Sequence, residues 1–250
     1  MLRSAAEMMG YILVAEDGTI GQCKDLLFDE RWWTIRYMVA DTGKWLPGRK
    51  VLISPISLGE PDWAARMLPV KLTTEQIKNS PPIEEDLPVS REYEKRFHNF
   101  FGYPYYWIGT HVWGYTAYPA SLYALARKEL EEKSGEQKGP NYLRSAKEVE
   151  GYKIHATDGR IGHVEDFLAE EKTWTIRYIM VDTRNWLPGG KKVLLSPQWA
   201  SGIRWEQKEL MVNLTKEAVK NSPEYDPSMT IDRQYESRLY DHYERPQYWS

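Results

Sequence analysis

The sequence predicts a mainly β protein made of two tandem small antiparallel β-barrels, each with short C-terminal helices. Three observations predict it. The chain repeats itself: LRSAAEMMGYILVAEDGTIGQCKDLLFDERWWTIRYMVADTGKWLPG from Leu2 and LRSAKEVEGYKIHATDGRIGHVEDFLAEEKTWTIRYIMVDTRNWLPG from Leu143 agree at more than half of their positions without a gap. Within each copy, apolar residues come in short alternating runs divided by turn residues. The chain of 250 residues is long enough for two domains of modest size, each with a small core.

The repeat continues past one extra residue near Gly190. VLISP (Val51 to Pro55) answers VLLSP (Val193 to Pro197), KNSP recurs at Lys78 and Lys220, and REYE at Arg91 answers RQYE at Arg233. Tyr106-Trp107 matches Tyr248-Trp249. The expected division is a first unit over residues 2–107, a linker over 108–141, aromatic and then charged, and a second unit over 142–249.

The elements follow in order. Tyr11 to Ala15 reads as a strand, and Asp17-Gly18 as a hairpin turn, because glycine takes a positive φ at little cost. Ile20 to Phe28 is the second strand. Trp33 to Val39 is the third, with Trp33, Ile35, Tyr37 and Val39 alternating onto one face. Asp41 to Gly48 is a loop, Val51 to Ser54 a short strand stopped by Pro55, and Met67 to Leu72 a fifth strand. A helix is expected at Thr74 to Asn79, capped by Thr73 and ended by Pro81-Pro82. A second starts after Ser90 and reaches about Phe101, with Gly102 at its C-terminal end. Asp232 stands where Ser90 stands in the other copy, and both residues are good N-caps. Strands this short protect their edges best by closing into a barrel.

WTIRYMVADTGKWLPGRKVLISP (Trp33 to Pro55) and WTIRYIMVDTRNWLPGGKKVLLSP (Trp174 to Pro197) resemble the core of the PRC-barrel family, and the preceding DGTIGQCKDLLFDE and DGRIGHVEDFLAEE resemble its opening hairpin. The resemblance spans roughly residues 8–75 and 149–217. Relatives include the cytoplasmic domain of the photosynthetic reaction centre H subunit and part of a bacterial ribosome maturation factor. Both dock onto a larger assembly, so the resemblance implies a binding role without naming the ligand. No membrane helix precedes Met8, which argues against a photosynthetic role, and no separate N-terminal barrel of a different type is evident.

Chemistry-bearing patterns are few. Cys23 is the only cysteine, so an intrachain disulfide and cysteine-cluster zinc sites are excluded, and its counterpart Val164 points to a packed side chain. His98, His111, His155, His163 and His242 make no metal-ligand spacing; His155 and His163 flank a predicted hairpin, but their counterparts are Val14 and Gln22. TGKWLPGRK at Thr42 lacks the spacing and helix of a phosphate loop, and Glu84, Glu85 and Asp86 read as a solvated run. No cofactor or metal is expected. With a net charge of −3 and both signs interspersed, no funnel for nucleic acid is visible.

Two shared features remain. Arg36/Arg177, Asp41/Asp182 and Trp45/Trp186 read first as an Arg–Asp pair bracing the turn with a tryptophan covering the barrel, and second as a partner-binding patch. The segment Phe100 to Ala126 carries no Asp, Glu, Lys or Arg; Tyr105, Trp107 and Trp113 make it a candidate docking surface, although packing against the barrels is favoured and spanning a membrane is not. The charged run Arg127 to Gly139 reads as a short helix and then a flexible linker. The expected function is a non-enzymatic, cytoplasmic adaptor for protein partners. The alternatives are a peripheral component of a membrane electron-transfer complex at the inner membrane, or a ribosome- or RNA-associated factor. A homodimer and an intramolecular pseudo-dimer both stay open.

Overall fold

The computed structural model describes residues 1–43, 45–83, 89–125, 142–184, 186–187 and 189–249. Glu84, Glu85, Asp86 and the run from Arg127 to Gly139 lie outside them. In chain order the strands are β1 (Leu2–Ser4), β2 (Ile12–Ala15), β3 (Gly18–Asp29), β4 (Thr34–Asp41), β5 (Lys50–Ile53), β6 (Met67–Pro69), β7 (Leu143–Ser145), β8 (Lys153–Ala156), β9 (Gly159–Glu170), β10 (Ile176–Asp182), β11 (Lys192–Leu195), β12 (Ala200–Arg204) and β13 (Glu209–Val212). The helices are α1 (Ala5–Met8), α2 (Thr74–Lys78), α3 (Arg91–Phe101), α4 (Pro119–Leu125), α5 (Ala146–Val149), α6 (Lys216–Asn221) and α7 (Arg233–His242).

The chain divides into two compact units, both mainly β. The N-terminal unit comprises Ala5–Lys147 with Glu170–Thr175; the C-terminal unit comprises Met1–Ser4, Glu148–Ala169 and Ile176–Ser250. The sheet of the N-terminal unit runs β5-β4-β3-β2-β6, with β7 added on β3; the other runs β11-β10-β9-β8-β13-β12, with β1 added on β9.

Three details depart from the sequence reading. The sheets are not wholly antiparallel, because β2 runs parallel to β6 and β8 parallel to β13. The chain leaves β5 through the 3-10 turn Pro55–Ser57 and re-enters beside β2 in the same direction. Among the described residues no ladder joins the two ends of either sheet, so hydrogen bonding does not close a barrel. The third strand begins at Thr34, since Trp33 sits in the left-handed region at φ 50 and stacks on Phe28. That strand does not alternate: Thr34 to Ala40 are all buried, because the C-terminal arm covers what would be its outer face.

Local signals hold elsewhere. Thr73 and Gln76 form a reciprocal capping box at α2. Ser90 caps α3 by accepting from the Tyr93 N–H, and Gly102 ends it at φ 67. Asp17 serves the hairpin differently from expectation: its carboxylate accepts from the backbone N–H and the hydroxyl of Thr74, while Gly18 already pairs with Ala15 inside the ladder.

Candidate functional site

The chemically loaded side chains of the N-terminal unit meet where α3 lies against β4. Arg91, Glu94 and His98 share a helix face at i, i+3 and i+7. Glu94 is 0% exposed. Its Oε1 accepts from the Tyr106 hydroxyl at 2.6 Å and the Tyr37 hydroxyl at 3.1 Å, and its Oε2 lies 2.7 Å from Arg91 Nη1. The Tyr37 hydroxyl is also 2.9 Å from His98 Nε2, and His98 Nδ1 is 2.9 Å from the Pro104 carbonyl. Because that carbonyl can only accept, Nδ1 carries the proton and Nε2 is the acceptor of the neutral ring. The single Tyr37 proton is therefore shared between Glu94 and His98.

Burial pushes the Glu94 carboxyl up to about 7, against the pull of Arg91 and the two hydroxyls. Burial likewise holds the His98 imidazole down at about 3 and raises both phenols well above their usual range. Beside them Arg36, wholly buried, places Nη2 3.3 Å from Asp29 Oδ2. Its guanidinium carbon stands 3.9 Å from the Tyr106 ring centre and 4.7 Å from that of Trp113. Nε and Nη1 of Arg36 make no hydrogen bond among the described residues; the two ring faces take that place.

The C-terminal unit repeats the device. Tyr178 and Tyr248 donate to Glu236 Oε1 at 2.8 and 2.9 Å, Arg233 Nη1 lies 2.9 Å from Glu236 Oε2, and Arg177 sits 4.3 Å from the Tyr248 ring centre. Tyr240 replaces His98. In both units the arrangement ties a helical arm to the sheet: one glutamate collects a strand tyrosine, a helix arginine and the tyrosine that follows the helix.

The predicted Arg–Asp braces do not form. Arg36 pairs with Asp29 instead of Asp41, and Asp182 pairs with Arg184 (Nε to Oδ2, 2.7 Å) while Arg177 stacks on Tyr248. Arg36 and Arg177 each fall at a bulge, where the ladder to the neighbouring strand skips one residue and regular alternation toward Asp41 and Asp182 is broken. Asp41 is exposed and accepts from the Gly43 N–H; Trp45 and Trp186 are half-buried, with Lys216 Nζ 5.3 Å from the Trp186 ring centre. Trp113 is fully buried and donates Nε1–H to the Thr173 carbonyl at 2.7 Å inside the N-terminal unit. Tyr105 and Trp107 are half-buried and stacked, ring centres 4.6 Å apart.

Sequence reasoning missed Glu94, Glu236 and the tyrosines around them. The signal was present, as Arg-x-x-Glu at Arg91 and Arg233 together with the shared Tyr-Trp pairs. No group of metal-ligating side chains exists among the described residues, and no helix there is long and apolar enough to cross a membrane. Two accessible features stand out. Phe100, Tyr115 and Tyr118 of the N-terminal unit are 45%, 59% and 48% exposed. The C-terminal unit carries an open groove of about 840 Å³ lined by Tyr225, Tyr235, Met229, Arg184 and Arg238 among others.

Residues 143–219 match the family model of the PRC-barrel domain. The match starts at the strand β7, which lies in the sheet of the N-terminal unit. A comparison with curated proteins finds no match.

Proposed function

We propose that this protein is a non-enzymatic docking protein that binds a protein partner through exposed aromatic side chains of its N-terminal unit. The observation that carries the reading is how the side chains are divided. The groups suited to acid–base work, Glu94, His98, Tyr37 and Tyr106, are sealed inside and engaged in holding the arm. The arm in turn leaves Phe100, Tyr115 and Tyr118 in solvent, where burying them costs no charge desolvation and gains apolar area. Aromatic residues of this kind are enriched at protein interfaces. The match to the PRC-barrel domain at residues 143–219 fits a module whose role is binding.

The test is a native pull-down with the tagged full chain, run separately on soluble and membrane fractions and read by mass spectrometry. A defined set of proteins retained by the natural chain and lost from the variant F100S/Y115S/Y118S supports the reading. Retention of the same set by that variant sinks the role of these side chains, and turnover of a substrate by the purified chain sinks the non-enzymatic role.

A further inference from the structure

Each sheet is completed by a strand whose sequence opens the other repeat. Leu2–Ser4 pairs with β9 in the C-terminal unit, and Leu143–Ser145 pairs with β3 in the N-terminal unit. The need for such a strand follows from lengths. β3 has twelve residues and β2 only four, and β2 covers β3 from Gly18 to Gln22. The far end of β3 would lack a neighbour on that side without β7, which pairs Ser145 with Leu27, Arg144 with Phe28 and Leu143 with Asp29. An open ladder end over side chains as buried as Leu27 and Phe28 is a template for another strand.

Both docking positions read the same strand, Leu-Arg-Ser, with the same latch. Ser145 donates its hydroxyl to Asp25 Oδ2 at 2.6 Å, and Ser4 donates its own to Asp166 Oδ2 at 2.5 Å. Each aspartate is braced by a backbone donor, Leu26 N–H to Asp25 and Phe167 N–H to Asp166. Arg144 adds two hydrogen bonds to Glu30, at 3.2 and 3.0 Å. Leu143 is buried, whereas all three residues of β1 are only half-buried.

We propose that the end of β9 is a strand-exchange site, and that a second copy of this chain can fill it with its own Leu2–Ser4. The latch is the same side-chain hydrogen bond at both positions, Ser4 to Asp166 and Ser145 to Asp25, set beside a short strand pairing, and a Leu-Arg-Ser strand from a second copy presents the same groups. Supply within one chain is favoured by an effective concentration on the order of millimolar. Exchange between copies competes as the protein concentration approaches that value, and because each copy both gives and receives a strand, it closes as a two-fold dimer.

The test uses the full chain, released by mild denaturant and returned to native buffer at concentrations from roughly 0.01 to roughly 1 mM, a range bracketing the effective concentration. Light scattering is expected to show a species of twice the 29.3 kDa chain mass that grows with concentration. A mixture of two single variants, Ser4→Cys and Asp166→Cys, is expected to give a covalent heterodimer, since neither copy can form that link alone. The double variant S4C/D166C, which can close on itself, shows that the geometry permits the bond. A monomer at every concentration overturns the proposal. So does a dimer whose S4C and D166C copies fail to link while the double variant closes, and so does a dimer that survives deletion of Leu2–Ser4.

Discussion

The Tyr106 hydroxyl donates to Glu94 Oε1 at 2.6 Å, so the chain that has just left α3 is tied back to the first turn of the same helix. The carboxylate is fully buried and the donor is a neutral phenol, a hydrogen bond of the charge-assisted kind with no water to replace it. The counterpart, Tyr248 to Glu236 at 2.9 Å, uses a half-exposed tyrosine.

Removing the hydroxyls separates the two arms. Above about pH 7, where Glu94 is ionised, Tyr106→Phe is expected to cost about 1.5–3 kcal/mol, because a buried charged acceptor loses a donor. Tyr248→Phe should cost less, since water can reach its site. Urea denaturation of the two variants checks this; equal losses would mean that exposure does not set the strength of the clamp.

The N-terminal arm should carry its own pH signature. Glu94 is raised from its ordinary 4.5 to about 7, so its neutral form favours folding. That contribution is complete below pH 4.5 and is lost as pH rises through about 7. His98 is lowered from 6.5 to about 3, so its neutral ring favours folding above pH 6.5, and that contribution is lost as pH falls toward 3. Glu94→Gln is therefore expected to lack the fall that Glu94 contributes between about pH 4.5 and 7, so that its stability rises more steeply over that range than the natural chain's. Urea midpoints measured across that range decide it, and parallel curves for the two proteins would refute it.

Arg36 is held by shape as much as by charge. Arg36→Ala leaves Asp29 buried without its cation and is expected to cost about 3–5 kcal/mol. Arg36→Lys should recover little of that, because an ammonium has no plane to lie between Tyr106 and Trp113. Thermal unfolding of both variants tests the point, and a lysine variant as stable as the natural chain would show that charge alone suffices.

Gly21 answers to a close approach. At φ +148, a Cβ there would come within 1.9 Å of the Asp41 carbonyl oxygen, and Gly162 is placed likewise against Asp182 at 2.2 Å. Gly21→Ala and Gly162→Ala should each cost about 3 kcal/mol or more. Gly43→Ala, also left-handed but with open space around it, should cost only about 1–2 kcal/mol. Denaturation midpoints that fail to separate these positions would show that the ladder moves aside without penalty.

Much of each unit was legible because its causes lie within a few residues. The cap at Thr73, the cap at Ser90, the glycine stop at Gly102 and the duplicated opening hairpin all depend on neighbours in sequence, where side-chain chemistry and turn geometry act directly. The clamp was half legible. Arg91 and Glu94 are one helical turn apart, but nothing in the sequence says that Tyr37, more than fifty residues earlier, lies against them. The burial of β4 on both faces was hidden for the same reason, since the arm that covers it arrives from far along the chain.

By itself, the sequence determined the duplication, the short strands and turns, and the helical arms, all of them consequences of local propensity and spacing. Only the tertiary structure decided which sheet each Leu-Arg-Ser strand completes, that Arg36 turns to Asp29 and not Asp41, and that Trp113 reaches the Thr173 carbonyl. The physical reason is that two identical strands carry no information about their own destination. The choice is made by ladders, latches and buried surfaces that exist only once distant segments have met.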